Sequence, residues 1–343
     1  MNDESKQFQK IDIAQISLSL FETTRKVKRG DIGLEADFQR KPKWKSDKKS
    51  KLIESIIYDI PIQAIYLSEE SDNKYEIIDG QQRIRTIYDF MNDKFKLDSP
   101  VISKEKILFS NLEPNIQRKI EDFQLIIFVV KKDNNPNIKF EIFERINTGA
   151  SKLNSQELRN CIYRNKGIPF IKELSEENIF KTVLVDKRVD INGMQDNELV
   201  LRFMSFYYKG YEDYTGNLKR FLNDTLDNYD KYSLREDEFK NKFIQTMESV
   251  NYVFGESAFL ININKKAKIN TSLFEIITYT FSKYNSSELR EKADVIKKNL
   301  EYLLNKNRGF RESLTSATTT QYKTKFRFEL WDSVLRKIME EEE

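Results

Sequence analysis

Apolar positions in the first 135 residues fall into short bursts rich in β-branched and aromatic side chains. "AIYLSEE" (64–70), "YEIID" (75–79) and "QLIIFVVKK" (124–132) each read as a strand. Helical spacing lies between them. "SDKKSKLIESIIYDIP" puts Leu52, Ile53, Ile56, Ile57 and Ile60 on one stripe and stops at Pro61. After Gln82, Ile84, Ile87, Tyr88 and Met91 recur at i, i+3, i+4 and i+7, predicting a second amphipathic helix. From Asn137 onward the pattern is helical almost throughout, punctuated at "NTGASKLN", "NKGIP", "INGMQDN", "YTGN" and "KNRGF". In "LNSQEL", Asn154 can cap a helix with Glu157 three residues on, while Leu153 and Leu158 occupy the staple positions. A boundary near "KKDNNPN" divides the chain into 1–135 and 136–343. The fold class expected is α+β, a small mixed β/α domain followed by a larger all-helical one.

A length of 343 residues suits two domains. The formal charge is +3, so any basic footprint must be local. One lies between Thr24 and Lys51, where eleven Lys or Arg meet Asp31, Glu35, Asp37 and Asp47; a solvated charged surface is its plain reading. Cys161, the one cysteine, sits beside Leu158 and Ile162 and reads as a small core residue. The start "MNDESKQFQK" has no apolar signal region, and no stretch approaches the ~20 apolar residues of a bilayer span, so a cytoplasmic protein without membrane partners is expected. The chain contains no histidine, which excludes a Ser-His-Asp triad, a Cys-His pair, a HExxH zinc site and any nuclease with a histidine base. Chemistry must rest on carboxylates, amides, hydroxyls, arginines and a recruited metal.

The sharpest local signal is Asp79-Gly80-Gln81-Gln82-Arg83, where a predicted strand meets a predicted helix. A glycine able to take positive φ, followed by a helix start, aims unpaired backbone N–H groups at an anion. Arg83 in the first helical turn opposes the helix dipole by about 0.3–1 kcal/mol, a penalty a bound phosphate would reverse. Gln81 and Gln82 can orient a water or a polar ligand without adding charge. The plainer alternative is a tight turn whose arginine pairs with a surface carboxylate.

"DFQRKPKW", with Phe38, Gln39, Arg40 and Trp44, then "KLIESI", Pro61, "IIDGQQRIRTI" and "FERINTGASKLNSQELRN" resemble the domain of unknown function 262 family. That resemblance runs from about Ile16 to Cys161 and more weakly through "NELVLRF" and "LKRFLND". It implies a ParB/sulfiredoxin-like amino-terminal domain of the kind found in GmrSD-type restriction proteins. In ParB-like relatives the corresponding turn holds nucleotide phosphates, and in some DGQQR proteins the motif is tied to NTP hydrolysis that regulates attack on modified phage DNA. Longer family members add an HNH-type nuclease, which a chain without histidine is not expected to carry. The resemblance therefore implies a nucleotide-dependent sensor or switch of a prokaryotic restriction or anti-phage system, working with a separate effector nuclease.

Under that reading Mg²⁺ and a nucleoside triphosphate are the expected cofactors. Asp79 would hold the metal or its water, Gln81 and Gln82 would place the nucleophile, and Gly80, Arg83, Arg40 and Gln39 would take the phosphates. Arg202 in "NELVLRFMSFYY" and Arg327 in "KFRFELWDSVLRKI" lie on apolar stripes, so both should point inward. Each then needs a carboxylate or a ligand phosphate. Either they form internal ion pairs or they close over the phosphates of the DGQQR turn, joined there by the Ser/Thr cluster at 313–320. A different class of function is a DNA-binding module in which Lys41, Lys43 and Lys45 contact phosphates and Trp44 or Phe38 touches an unstacked or modified base. A metal-dependent DNA nickase is a third.

Overall fold

A computed structural model describes residues 12–34, 44–70, 74–132, 136–146, 154–164, 166–185, 189–262 and 268–340. Gln39, Arg40, Lys41 and Lys43, together with Phe38 and Leu153, lie outside the described residues. The chain forms two compact units, 1–153 and 154–343. The helix Pro136–Ile146 therefore counts with the sheet-bearing unit rather than with the helical part to which the sequence reading gave it.

The first unit is built on a five-stranded mixed sheet. Its strands are β1 (Ile13–Ser19), β2 (Ile32–Gly33), β3 (Ile65–Glu69), β4 (Tyr75–Asp79) and β5 (Gln124–Val130), in the order β1-β5-β3-β4-β2. β1 runs antiparallel to β5 and β3 antiparallel to β4, while the β3/β5 and β2/β4 pairs are parallel. The three strands read from the sequence are present. β1 and β2 are additions, and the reason is chemical: "IAQISLS" carries alanine, glutamine and two serines, so it shows no apolar burst. It becomes a strand by pairing along its whole length with β5. Its register is set by a segment more than a hundred residues away, beyond the reach of local pattern.

One face of the sheet is covered by α1 (Leu20–Arg29), α2 (Ser46–Ile57), α3 (Gln81–Met91) and α4 (Pro114–Asp122). Leu67, Ile77, Leu125, Ile127 and Val129 from the strands pack with Leu20, Ile53, Ile56, Ile84, Ile87 and Ile120 from these helices. α2 ends at Ile57, so Ile60, which the periodicity placed on the buried stripe, is exposed past the helix end. On the opposite face Ile126 is 49 % exposed, and α5 (Pro136–Ile146) lines a cleft with Tyr66 and Phe128.

The second unit is helical throughout its described residues, starting with α6 (Ser155–Ile162). Asn154 accepts hydrogen bonds from the N–H groups of Gln156 and Glu157, and Glu157 accepts one from the Asn154 N–H, completing the expected capping box. The long helices Gln195–Lys209, Glu236–Phe254, Thr271–Phe281 and Gln321–Glu340 enclose a core of Phe203, Phe206, Phe243, Phe274, Phe328 and Trp331. Cys161 is buried, as a core residue should be. No helix among the described residues is long and apolar enough to cross a membrane.

Candidate functional site

β4 delivers Asp79 to the end of the sheet, and an irregularity in the β3/β4 ladder turns it. Leu67 pairs with Ile77 but Tyr66 pairs with Asp79, so two residues of β4 stand opposite one of β3. Simple alternation would have grouped Asp79 with Ile77 on the core side. The bulge sets it opposite Tyr66 instead, the re-aiming that bulges produce beside functional sites. Gly80 follows at φ 99°, and a Cβ there would collide with Ile65 Cδ1. Only glycine fits this position without strain.

α3 begins at once. Its first intrahelical bond joins the Ile84 N–H to the Gly80 carbonyl, so the N–H groups of Gln81, Gln82 and Arg83 precede the helical ladder. The N-cap residue, Gly80, has no side chain to cap them, and the first turn holds no acid. The positive end of the helix dipole is therefore not complemented by a side chain of its own helix.

The motif's side chains turn mostly inward. Arg83 is only 7 % exposed; its guanidinium is ion-paired with Asp79 and donates from Nη1 to the Gln63 carbonyl at 3.2 Å and to Gln63 Oε1 at 2.9 Å. The carboxylate that pairs with it is the motif's own, with a side chain 40 % exposed. Gln81 is buried and donates from Nε2 to the Leu34 carbonyl at 2.9 Å, which also accepts from Arg85 at 2.8 Å. Gln82 Oε1 accepts from the Trp44 N–H at 3.5 Å, a long contact. α3 thus grips the chain at Leu34 and Trp44, the residues on either side of 35–43. The Trp44 ring is half-buried against the core, with Lys48 Nζ 4.5 Å from its centroid, which leaves it poorly placed to stack on a base. Lys45 is exposed at the start of α2.

No group of three or more Asp, Glu, Cys or His among the described residues could hold a metal by itself. Asp79 fits Mg²⁺ only in the mode where one carboxylate and a ligand's phosphates share the ion.

Arg202 and Arg327 belong to the second unit and are internal ion pairs. Arg202 pairs with Glu198 at 2.6 Å and with Glu275; Arg327 pairs with Glu275 at 2.8 Å. Glu275 and Arg327 are both 2 % exposed. Burial alone would lower the Arg202 pKa, but Glu275 and Glu198 hold it above the ordinary value. Burial would raise that of Glu198, and Arg202 and Arg159 outweigh it, leaving the carboxyl below its usual range. The Ser/Thr cluster serves the same network with backbone acceptors: Arg327 Nη1 donates to the Thr318 carbonyl at 2.6 Å and the Ser313 carbonyl at 3.3 Å. These arginines are scaffold, their charge already met by carboxylates of their own unit.

The first unit thus defines a class: a mixed-sheet domain with a glycine turn and an uncapped helix start at the end of an inner strand. Residues 21–164 match the family described as GmrSD restriction endonuclease, N-terminal domain. Neither the curated proteins nor the solved structures provide a match to the chain.

Proposed function

We propose that the first unit binds a nucleoside triphosphate at the Asp79–Arg83 turn and hydrolyses it, as the sensor or switch of a prokaryotic restriction or anti-phage system that works with a separate effector. The observation that carries this reading is the uncapped start of α3 behind a left-handed Gly80, with a bulge directing Asp79 beside it. Phosphate oxygens would accept from the N–H groups of Gln81, Gln82 and Arg83, complementing the helix dipole. Arg83, fixed by Gln63, keeps its positive charge at that end, and the half-exposed Asp79 can turn from Arg83 toward a metal arriving with the phosphates. Bound Mg²⁺ would neutralise charge that develops on the phosphoryl oxygens. Gln81 is committed to Leu34, so Gln82, more loosely held, is the amide that would orient the attacking water.

The test is a melting curve and a phosphate-release assay with each of the four common NTPs and Mg²⁺, with and without DNA. A ligand that binds only the native state stabilises it by roughly 2.7 kcal/mol at a hundred times its Kd. A saturating panel that leaves the melting curve unmoved would sink the nucleotide reading.

A second reading, DNA binding, is favoured by the exposed Arg25, Lys28 and Arg29 of α1 and Lys45, Lys48 and Lys51 at α2. If these neutralise phosphates, log K should fall against log salt by about 0.9 per contact. Flat salt dependence removes DNA from the partners, and strand nicking in the same tubes would point instead to direct cleavage.

A further inference from the structure

The sheet face opposite the α1–α4 core carries a cleft of about 530 Å³, lined by Ile13, Gln15, Tyr66, Phe128, Arg145 and neighbouring residues of α5. That volume lies within the ~300–1,000 Å³ of small-molecule sites. Its floor is ordered across the sheet. Gln15 pairs with Phe128, Phe128 with Tyr66, and Tyr66 with Asp79, so four strands place these residues in one transverse row. Tyr66 and Phe128 stack with centroids 5.2 Å apart and planes 20° from parallel, forming a continuous aromatic ledge. The row ends at the residue that precedes Gly80. Two strand spacings, roughly 10 Å, separate the Phe128 strand from the Asp79 strand. Arg145 lines the cleft with its side chain 82 % exposed, and Glu141 lies 3.9 Å from its guanidinium.

We propose that this ledge is the base subsite of the nucleotide whose phosphates occupy the Asp79–Arg83 turn, with the nucleobase stacked on Tyr66 and Phe128 and Arg145 beside it. This rests on the nucleotide reading given above. The chemistry favours a planar base over an aliphatic ligand, because a stacked aromatic pair keeps an outer π-face on which any base can continue the stack, and a guanidinium at the rim adds a cation to stack on or to meet ribose and phosphate oxygens. The row also accounts for the bulge: it brings Asp79 to the ledge's end, where the ribose would pass toward the turn. Gln15, at the far end, offers an amide that can read the base edge.

The experiment compares the intact chain and its Tyr66→Leu variant, by titration calorimetry with each NTP and with inorganic tripolyphosphate, and by saturation-transfer NMR with the free nucleosides. The wild type should bind at least one NTP about tenfold tighter than tripolyphosphate, the scale of one base–aromatic stack. Tyr66→Leu, which keeps an apolar side chain in the sheet, should erase that preference while tripolyphosphate affinity stays unchanged, and should remove saturation transfer to the base protons. Equal affinity of the wild type for NTP and tripolyphosphate, or a preference that survives Tyr66→Leu, overturns the ledge and leaves the phosphate turn standing. Nucleosides that bind through Tyr66 while tripolyphosphate does not bind would uphold the ledge and remove the phosphate reading. Binding of neither overturns both. A single-stranded oligonucleotide that needs Tyr66 when free nucleosides do not bind would give the ledge to a nucleic-acid strand and overturn the proposal.

Discussion

Arg83 in the first unit and Arg327 in the second are both nearly inaccessible, and both are paired with a carboxylate, yet they sit in opposite circumstances. Arg327 shares Glu275 with Arg202, and all three groups are enclosed in the helical core. Arg83 pairs with Asp79, whose side chain stays 40 % exposed beside an uncapped helix start. A buried arginine is uninformative by itself; the exposure of its partner separates scaffold from site. A carboxylate open to water can change partners at little cost, whereas one sealed with its arginines cannot.

The sharpest way to break that contrast is Glu275→Gln. Removing one partner of a buried pair costs about 3–5 kcal/mol, because it strands charge that water cannot reach. Here two guanidiniums lose their shared acceptor. For a unit of this size each kcal/mol moves the melting temperature by ~2–4 °C, so a fall of roughly 6–20 °C is expected in thermal unfolding followed by circular dichroism. A change below about 1 kcal/mol would show that the network is hydrated and that its arginines are free for other duties.

A smaller effect is expected at the turn. Gly80→Ala must hold an L-residue at φ 99° and push against Ile65, a combination costing about 2 kcal/mol or more. Hydrogen exchange should place the loss in β4 and the first turn of α3. An unchanged stability would mean that the turn relaxes without penalty, and the rigid geometry argued for the phosphate subsite would go with it.

What could be read from the sequence, and what could not, follows the range of the interactions. Strands β3, β4 and β5 announced themselves because their apolar residues are contiguous, and the α6 cap because Asn154 and Glu157 are three residues apart. The DGQQR turn was legible for the same reason. The bonds that give its residues their tasks were not: Gln81 reaches Leu34 and Arg83 reaches Gln63, across 47 and 20 residues. Helical spacing placed Arg202 and Arg327 inward correctly but could not choose between a ligand and Glu275, whose glutamate is 73 residues from one and 52 from the other. The aromatic ledge was hidden too, since Tyr66 and Phe128 meet only through the parallel β3/β5 pairing. Aromatic residues alternating with buried aliphatics in otherwise apolar strands were the one available signal.

The smallest expected change separates the two adjacent glutamines, which the sequence treats alike. Gln81→Ala removes a buried donor from the Leu34 carbonyl, although Arg85 still donates to it at 2.8 Å, so about 1 kcal/mol of stability should be lost. Gln82→Ala removes an acceptor 3.5 Å from the Trp44 N–H, a contact at the limit of a hydrogen bond, and should stay within about 0.5 kcal/mol of the parent. If Gln82 orients the attacking water, phosphate release by that variant should fall steeply while nucleotide affinity is kept, because the amide acts on the reaction and not on the fold. Gln81→Ala should lower stability and affinity together, since α3 then holds the chain at Leu34 less firmly. Wild-type phosphate release in Gln82→Ala would remove this amide from the reaction, and a stability loss there equal to that of Gln81→Ala would show that both glutamines are braces of the same kind.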